Sequence, residues 1–305
     1  MEKNLADLRA ELGIRSKVDE PLAPHTTLRV GGAAELFIEA KAIAELVEFV
    51  RLAREHKVSF FILGNGSNIL VLDNGIRGLV IENHCDDYGL NVYNSDKAIL
   101  RVESGASLPG MANRLARQGW SGLEWAIGVP GTIGGAVVGN AGAHGGAIGD
   151  RVVMVEMLDM HGTMIKLPKR DCAFEYRMSR FKRNKSEIVL RAEFEMKRDA
   201  PAACIARMNE YTDHRRRTQP TEPSVGSMFR NPPGDYAGRL IEQAGLKGKR
   251  VGSVEVSQVH ANFFVNRGGA MASQVLQLVE IVKSGVRAKF DVELELEIEV
   301  VGEPG

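Results

Sequence analysis

Net charge, cysteine and long apolar runs are all scarce in this chain, and each shortage excludes a class of protein. The 305 residues carry 39 Lys and Arg against 39 Asp and Glu, so the basic excess of a nucleic-acid binder is missing. The three cysteines, Cys85, Cys172 and Cys204, stand far apart without metal-ligand spacing. We therefore expect buried free thiols, no metal site and a reducing compartment. Without an apolar run of about 18 residues or a signal peptide, the expectation is a soluble cytoplasmic protein that inserts into no membrane.

The patterning of the first two thirds predicts an α+β protein with more than one domain. Strands are expected near residues 36–39, 60–63, 79–81 and 99–102, and a helix near 41–56. A second helix is expected to start at an N-cap, Ser107, and to end before Gly119. Longer strands near 152–160 and 188–196 predict an antiparallel layer against these helices.

The last third, after a composition shift at residues 199–201, predicts a smaller α+β unit. A helix is expected around Ile205, Met208 and Tyr211, followed by a turn-rich loop at 219–234. Helices near 237–244 and 272–282 should enclose a buried strand at 262–266. Apolar residues then alternate with glutamates from Val292 to Val300, which predicts a half-buried strand with a carboxylate face.

Glycine is abundant, with 33 copies, and the first glycine segment is residues 64–68. It follows an apolar strand and consists of Gly64, Asn65, Gly66, Ser67 and Asn68. Its glycines tolerate positive φ, so that backbone amides can converge on an anion. Ile69 stands where a Rossmann fingerprint needs its third glycine. A phosphate site and a plain tight turn both remain open.

The second glycine segment is residues 128–142, and it carries so little side-chain bulk that a flat ligand can approach its backbone. Residues 133–138 can also begin a helix whose N-terminus favours a pyrophosphate. The alternative is a closely packed helix or bulged turn without a ligand. The candidate binding residues are Gly128, Val129, Pro130, Gly131, Thr132, Gly134, Gly135, Asn140, Ala141 and Gly142.

Three further positions carry side chains suited to chemistry, each with a plainer alternative. Arg177 follows Tyr176 and is either a bidentate donor to a carboxylate or a solvated basic residue. Ser227 follows Gly226 and either exposes its hydroxyl at a turn or is structural, since no G-x-S-x-G elbow surrounds it. The glutamates of the last strand form a wet sheet face or part of a site, and the local pattern selects none of them.

Taken in order, these segments resemble the UDP-N-acetylenolpyruvoylglucosamine reductase (MurB) family over nearly the whole chain. The anchors are residues 26–32, 64–68, 128–135, 140–142, 176–179, 226–232 and 260–262. The resemblance implies an FAD-binding fold of the vanillyl-alcohol-oxidase (PCMH) type. It divides the chain into an N-terminal segment (1–25), an FAD-binding domain (26–199, with subdomains of about 26–85 and 86–199) and an α+β substrate-binding domain (200–305). The final strand of the last domain is expected to return toward the active site.

The reaction implied by the resemblance is the NADPH-dependent reduction of UDP-N-acetylglucosamine enolpyruvate to UDP-N-acetylmuramate, a peptidoglycan precursor. NADPH reduces non-covalently bound FAD, which passes a hydride to the enolpyruvyl methylene. The family pattern assigns proton donation to Ser227, and stabilisation of the enolate to Arg177 and Glu297. It also implies that the FAD diphosphate lies at the first glycine segment and the flavin near the second.

Substrate binding is the least specific part of the resemblance. The expected contacts are Tyr176, Asn231, Arg217, Arg230 and His260, and the expected assembly is a monomer. Phe181 leads quickly to Ile188, so this chain resembles a shorter subtype without a tyrosine-bearing loop over the substrate. The alternatives are another FAD-dependent oxidase or dehydrogenase of the same fold, acting on a sugar or hydroxy acid, and a non-catalytic nucleotide-binding module.

Overall fold

The computed structural model describes residues 2–304 of the chain. The helices are α1 (Glu2–Leu12), α2 (Ile43–Glu55), α3 (Leu108–Arg117), α4 (Ile133–Gly139), α5 (Ile148–Arg151), α6 (Arg180–Arg183), α7 (Pro201–Thr218), α8 (Ala237–Gln243) and α9 (Ala272–Phe290). The strands are β1 (Lys17–Pro21), β2 (Ala33–Ala40), β3 (Phe60–Leu63), β4 (Ile69–Val71), β5 (Ile76–Asn83), β6 (Tyr88–Val92), β7 (Lys97–Glu103), β8 (Trp120–Ser121), β9 (Gly142–Ala143), β10 (Gly146–Ala147), β11 (Val152–Leu158), β12 (Met164–Pro168), β13 (Ile188–Arg198), β14 (Arg250–Val251), β15 (Val254–Val256), β16 (Phe264–Asn266) and β17 (Glu299–Val301). Within this described range, no helix is both long enough and apolar enough to cross a membrane.

A mixed sheet in the order β1-β2-β5-β3 forms the first layer. β2 and β3 both run parallel to the central β5, and β1 lies antiparallel at the edge. α2 packs on this layer because Ile43, Leu46 and Val50 recur at helical spacing and are buried. The predicted strands and helix of this region are confirmed. Leu8 and Leu12 of α1 join the same core, where the sequence had indicated only an N-terminal segment.

An antiparallel sheet in the order β12-β11-β13-β7-β6 forms the second layer, with β8 beside β13. β11 pairs antiparallel with β13, which confirms the predicted layer. α3 and α4 fill its face with apolar side chains that include Leu108 and Ile133. Ser107 is the N-cap of α3 as predicted, because its hydroxyl accepts a hydrogen bond from the Gly110 amide at 3.2 Å.

α8, α9 and the small sheet β14-β15-β16 enclose a second apolar cluster, which Leu28, Val30 and Leu70 of the first third of the chain also join. α9 runs to Phe290, beyond the predicted end at 282, because Val286 extends its buried face. Asp291 then ends it in a left-handed conformation with φ 55°. The strand expected at 262–266 is shorter, since Asn262 bonds instead to the chain around Phe229: its carbonyl accepts from the Met228 amide at 2.7 Å.

The long final strand predicted from residues 292–300 is wrong, since β17 covers only Glu299–Val301. The segment before it changes partners instead of following one neighbour. The Glu295 carbonyl accepts from Arg230 and the Glu297 amide donates to Met228, each at 2.9 Å, whereas the Glu299 amide donates to Asn68 at 3.0 Å. Apolar residues alternate with glutamates because one side of this segment is buried, while its main chain bonds first to residues 228–230 and then to Asn68. β17 then pairs in parallel with β4, directly after the first glycine segment.

The three cysteines are free and buried, as the sequence predicted. Burial raises the pKa of the Cys85 thiol to about 12 and that of Cys172 to about 11. Such thiols stay protonated at neutral pH and are poor nucleophiles.

Candidate active site

The two glycine segments lie directly against each other. The Ser67 hydroxyl donates a hydrogen bond to the Pro130 carbonyl at 3.1 Å. A methyl group added at Gly64 would lie 2.8 Å from Oγ1 of Thr132, and one added at Gly131 would lie 2.9 Å from Oγ of Ser67. Both glycines are therefore needed for this close approach. The structure thus brings together the two segments that the sequence singled out.

The first glycine segment presents a row of backbone donors that the chain itself does not use. Among residues 2–304, no oxygen accepts a hydrogen bond from the amide groups of residues 64–68. Gly66 is buried and adopts φ 57°, a conformation that glycine tolerates. Successive N–H groups in such a turn form an anion-binding concavity. These donors fit a diphosphate, which is the anionic part of FAD.

At the N-terminus of α4, by contrast, the first three amides of the helix are already hydrogen-bonded within the chain. The Ile133 amide donates to Ala106 at 2.9 Å, and the Gly134 amide donates to Ser104 at 2.7 Å. The Gly135 amide donates to the hydroxyl of Thr132 at 3.3 Å. The helix expected at 133–138 is present, and its suggested role as a pyrophosphate site stays a prediction that these three occupied amides do not support.

Asn140, at the end of the second glycine segment, organises the loops around it. It takes a left-handed conformation with φ 43° and ends α4. Its Nδ2 donates to the Glu175 carbonyl at 2.8 Å, and its Oδ1 accepts from the Gly149 amide at 2.9 Å. Close by, Nη1 of Arg177 donates to the Gly142 carbonyl at 3.0 Å. Asn140 and Gly142 thereby position the loop that carries Arg177.

Arg177 and Glu297 form an ion pair at the centre of the site. Nε of Arg177 lies 2.7 Å from Oε1 of Glu297, and the two side chains are 25% and 15% exposed. The Nε–H group does not point along the line to that oxygen, so the contact is electrostatic rather than an aligned hydrogen bond. Arg177 adopts φ 55°, a conformation that costs a non-glycine residue about 1–3 kcal/mol. Such strain is typical of functional sites.

The carboxyl group of Glu297 sits in surroundings that favour its protonated form. Burial raises the pKa of Glu297, and the positive charges of Arg177, Lys182 and Arg230 only partly offset that rise. The other glutamates of the segment are engaged elsewhere or exposed: Glu293 lies 3.6 Å from Arg287, Glu299 pairs with Lys185 and Glu295 faces solvent. Glu297 is thus the glutamate of this segment that meets Arg177.

Ser227 lies one residue from the strand contact that holds Glu297. The Met228 carbonyl accepts the Glu297 amide at 2.9 Å, while Ser227 itself pairs with Phe263. Asn262 fixes this turn, because its side chain accepts from the Phe229 amide at 3.0 Å and donates to the Phe229 carbonyl at 2.8 Å. Across the described residues, no hydrogen bond engages the Ser227 hydroxyl. The three predicted catalytic residues therefore gather in one place, with the serine hydroxyl free.

The predicted substrate contacts differ in their placement. Tyr176 is 59% exposed, and its ring centroid lies 5.5 Å from the Arg177 guanidinium. Nε of Arg230 is buried without a hydrogen-bond partner in the described chain, close enough to Glu297 to affect its pKa. Oδ1 of Asn231 accepts from the Ala237 amide at 3.1 Å and so helps to start α8.

Two of these residues lie apart from the Arg177–Glu297 pair. Arg217 is exposed, and its Nε donates to the Asp213 carbonyl of its own helix at 3.2 Å. The His260 ring packs against Phe263, with centroids 4.8 Å apart, and lies next to Gly238 of α8. Burial lowers the pKa of His260. A substrate contact for either residue stays a prediction.

Lys182 is a neighbour of the site that the sequence did not reveal. Its Nζ donates to the Arg177 carbonyl at 3.4 Å, and its charge acts on Glu297. Burial lowers the pKa of Lys182. Its position five residues after the arginine was the only available signal, because both belong to one short loop and helix. No group of three or more His, Cys, Asp or Glu that could hold a metal occurs in the part of the chain described.

Two families of known proteins match this chain. Residues 34–168 match an FAD binding domain, and residues 219–301 match the C-terminal domain of UDP-N-acetylenolpyruvoylglucosamine reductase. The UDP-N-acetylenolpyruvoylglucosamine reductase of Rubrobacter xylanophilus is 43% identical over 289 residues, which cover 95% of this chain and 96% of that protein. The reductase of the same name from Bacillus velezensis is 39% identical over 303 residues, or 99% of each chain.

A solved structure shares the architecture. The UDP-N-acetylenolpyruvylglucosamine reductase from Thermus caldophilus is similar with a TM-score of 0.79 and 36% identity, over 93% of this chain and 97% of that one. Together with the match to an FAD binding domain, this similarity confirms the predicted α+β fold with an FAD-binding unit of the vanillyl-alcohol-oxidase type.

Proposed function

The chain belongs to the UDP-N-acetylenolpyruvoylglucosamine reductase family and is an FAD-binding oxidoreductase, and on this basis we propose that it reduces UDP-N-acetylglucosamine enolpyruvate to UDP-N-acetylmuramate with NADPH. The product is a precursor of peptidoglycan. The observation that carries the proposal is the Arg177–Glu297 ion pair, with a 2.7 Å separation, beside the free hydroxyl of Ser227. Its position between the two glycine segments is where a flavin and an anionic substrate must meet.

The cofactor site that we propose consists of both glycine segments. Bound FAD would take a hydride from NADPH and deliver it to the methylene carbon of the enolpyruvyl group. The amides of residues 64–68 bind the diphosphate, because they are donors without acceptors in the chain. The backbone of residues 128–142, which carries little side-chain bulk, is the segment that we assign to the flat ring system.

Arg177 and Glu297 stabilise the charge that develops on the substrate. Addition to the methylene carbon pushes electrons toward the neighbouring carboxylate and creates an enolate-like species. The Arg177 guanidinium attracts that charge, and the Glu297 carboxyl, whose pKa burial raises, donates a hydrogen bond to it. One such aimed donor in a dry site typically contributes roughly 3–4 kcal/mol.

Ser227 supplies the proton that completes the reaction. A serine hydroxyl is a weak acid, so that it gives up a proton only to a strongly basic acceptor such as the enolate carbon. A positioned proton donor accelerates such a step by roughly a hundred- to ten-thousandfold. We assign the substrate itself to the surface around Tyr176, Arg230 and Asn231, and the outer contacts to Arg217 and His260.

The domain division is part of the same proposal. We propose an FAD-binding domain at 26–199, following the segment 1–25, and a substrate-binding domain at 200–305. The apolar cluster around α8 and α9, most of whose buried members come from residues 225–298, supports the second unit. The pairing of β17 with β4 supports the return of the chain end to the active site.

Turnover of the purified protein tests the proposed reaction. The protein should be yellow, and it should oxidise NADPH rapidly only when the enolpyruvyl UDP-sugar is present. Rapid oxidation of NADPH by oxygen without the UDP-sugar would instead indicate a flavin oxidase. A colourless protein that cannot be reconstituted with FAD would contradict the proposal altogether.

A further inference from the structure

Three consecutive arginines end α7, and they face different surroundings. Arg216 is exposed and lies 3.7 Å from Asp213, and Arg217 is exposed beside the same helix turn. Arg215 instead turns inward and is half-buried. Its stem covers Gly128 so closely that a methyl group there would lie 2.2 Å from Cδ and 2.4 Å from Nε of Arg215. Arg215 therefore forms one wall of the second glycine segment.

The guanidinium of Arg215 has no acidic partner in the described chain. Burial lowers the pKa of Arg215, and no nearby carboxylate opposes that effect. The charges of His214 and Arg215 both lower the pKa of the nearby His144, and the charge of Glu210 opposes them. Arg215 itself is in no ion pair with a carboxylate of residues 2–304. A cation withdrawn from water without a counter-charge is costly. The surroundings of Arg215 are thus prepared for an anion that the chain does not supply.

The first glycine segment, which carries the unused amides, also contacts the loop of residues 128–131. Pro130, which accepts the hydrogen bond from Ser67, stands two residues after Gly128, and two residues span at most about 7 Å. A diphosphate seated on residues 64–68 is therefore within reach of an arginine that covers Gly128. Arg215 and the free amides are donors of the two kinds that proteins use for phosphate groups.

We propose that Arg215 is a cofactor-binding residue that pairs with the diphosphate of FAD across the loop formed by residues 128–131. The proposal deepens the proposed function and rests on its FAD site. α7 lies between the matched regions 34–168 and 219–301, so neither family match assigns it a role. FAD is the favoured source of the diphosphate because Gly128 lies inside the FAD binding domain match. Retention of the cofactor would then depend on the docking of a helix that lies outside that domain.

Release of FAD from the purified holoenzyme tests this role. Arg215→Met removes the charge and keeps the stem that covers Gly128. We expect the dissociation constant for FAD, measured by the fluorescence of flavin released on dilution, to rise about ten- to a hundredfold. The dissociation constant of Arg215→Lys should fall between those of the wild type and Arg215→Met, since lysine keeps the charge without the planar guanidinium group. Arg216→Met, one position along the same helix, should retain FAD like the wild type.

Thermal unfolding over a range of added FAD separates cofactor binding from packing. If Arg215 binds FAD, the melting temperature of Arg215→Met should approach that of the wild type as FAD rises. A deficit that is the same at every FAD concentration would show a purely structural role and overturn the proposal. Unchanged FAD affinity with a raised KM for the UDP-sugar or NADPH would also overturn it, because the diphosphate would then belong to another nucleotide. A wild-type chain that binds FAD but does not reduce the UDP-sugar would contradict the proposed function alone.

Discussion

The side-chain amide of Asn68 donates a hydrogen bond to the main-chain carbonyl of Glu297 at 3.3 Å, across 229 positions of sequence. The Asn68 carbonyl also accepts the Glu299 amide at 3.0 Å. The first glycine segment and the end of the chain are thereby joined by two hydrogen bonds. Since Glu297 also contacts Arg177, the first glycine segment and the Arg177–Glu297 pair form one structural unit. We therefore expect a substitution that disturbs the contact between the glycine segments to lower the affinity for FAD.

Gly64→Ala should weaken FAD binding at least tenfold. The added methyl group would lie 2.8 Å from Oγ1 and 3.3 Å from Cγ2 of Thr132, so the two glycine segments would have to separate. The measurement is FAD release on dilution of the holoenzyme. Thr132→Ala in the same chain removes both clashing atoms and should restore part of the binding. Gly89→Ala, where nothing lies within 4 Å, is the matched control, and an equal loss in that variant would refute the steric explanation.

The reaction with the UDP-sugar should slow as pH rises through the raised pKa of Glu297, where its carboxyl group loses its proton. Burial raises the pKa of Glu297, so the active protonated form persists above the usual range and disappears as pH rises through the raised pKa. By the same linkage, the contribution of Glu297 to stability is full below its ordinary pKa and is lost as pH rises through the raised pKa. Rapid-mixing measurements of flavin reoxidation by substrate across pH should show this decline as pH rises.

Lys182→Met should move that decline in the rate to higher pH. The charge of Lys182 lowers the pKa of Glu297, so its removal lets the pKa rise further. Lys182→Arg should keep the wild-type profile. Lys185→Met is the control, because Lys185 is exposed and pairs with Glu299 instead. A decline that stays in place, or moves to lower pH, in Lys182→Met would exclude this electrostatic coupling.

Asp73 should stabilise the junction between the sheet and α9. Its carboxylate accepts the amides of Ala272 and Ser273 at 2.7 and 2.9 Å, so that it caps a helix from 199 positions away. Asp73→Ala should lower the free energy of unfolding by about 1 kcal/mol at neutral pH. Urea unfolding measures this loss, and Asp86→Ala at an exposed position provides the control.

The effect of Asp73 should fade in acid. Burial alone would raise its pKa, but hydrogen bonds from Ser273 and Ala272 outweigh burial and lower it. A carboxylate with a lowered pKa contributes stability above its ordinary pKa, and that contribution is lost as pH falls through the lowered value. The difference between wild type and Asp73→Ala should therefore shrink at low pH, and a constant difference would contradict a charged cap.

The sequence predicted the local elements well because their signals are local. One helical face is directly predicted by the spacing of Ile43, Leu46 and Val50, and an N-cap is predicted by Ser107. The segment 292–298 was misread as one strand because alternation reports a buried side and not the partner. The hydrogen bonds at the N-terminus of α4 were not predictable for a similar reason, since its amides donate to Ser104 and Ala106, which tertiary folding brings near.

The sequence predicted the site residues that belong to family motifs, but it did not predict the buried cations beside them. Arg177, Ser227 and Glu297 stand in family motifs, and the structure places them together. Lys182 and Arg215 stand in no motif, and only burial distinguishes Arg215 from the two arginines that follow it. Which of three adjacent cations turns inward depends on helix packing, and a single sequence does not encode that in any short pattern.

The flavin spectrum of wild type and Ser227→Ala, followed first under NADPH and then with the enolpyruvyl UDP-sugar, tests the central claim most directly. Wild type should lose its flavin absorbance with NADPH and regain it with substrate. Ser227→Ala should lose the absorbance at nearly the wild-type rate but regain it roughly a hundred- to ten-thousandfold more slowly. Ser224→Ala, a serine in the same turn-rich loop, should behave like wild type. Recovery at the wild-type rate in Ser227→Ala would contradict the assignment of Ser227 as the proton donor.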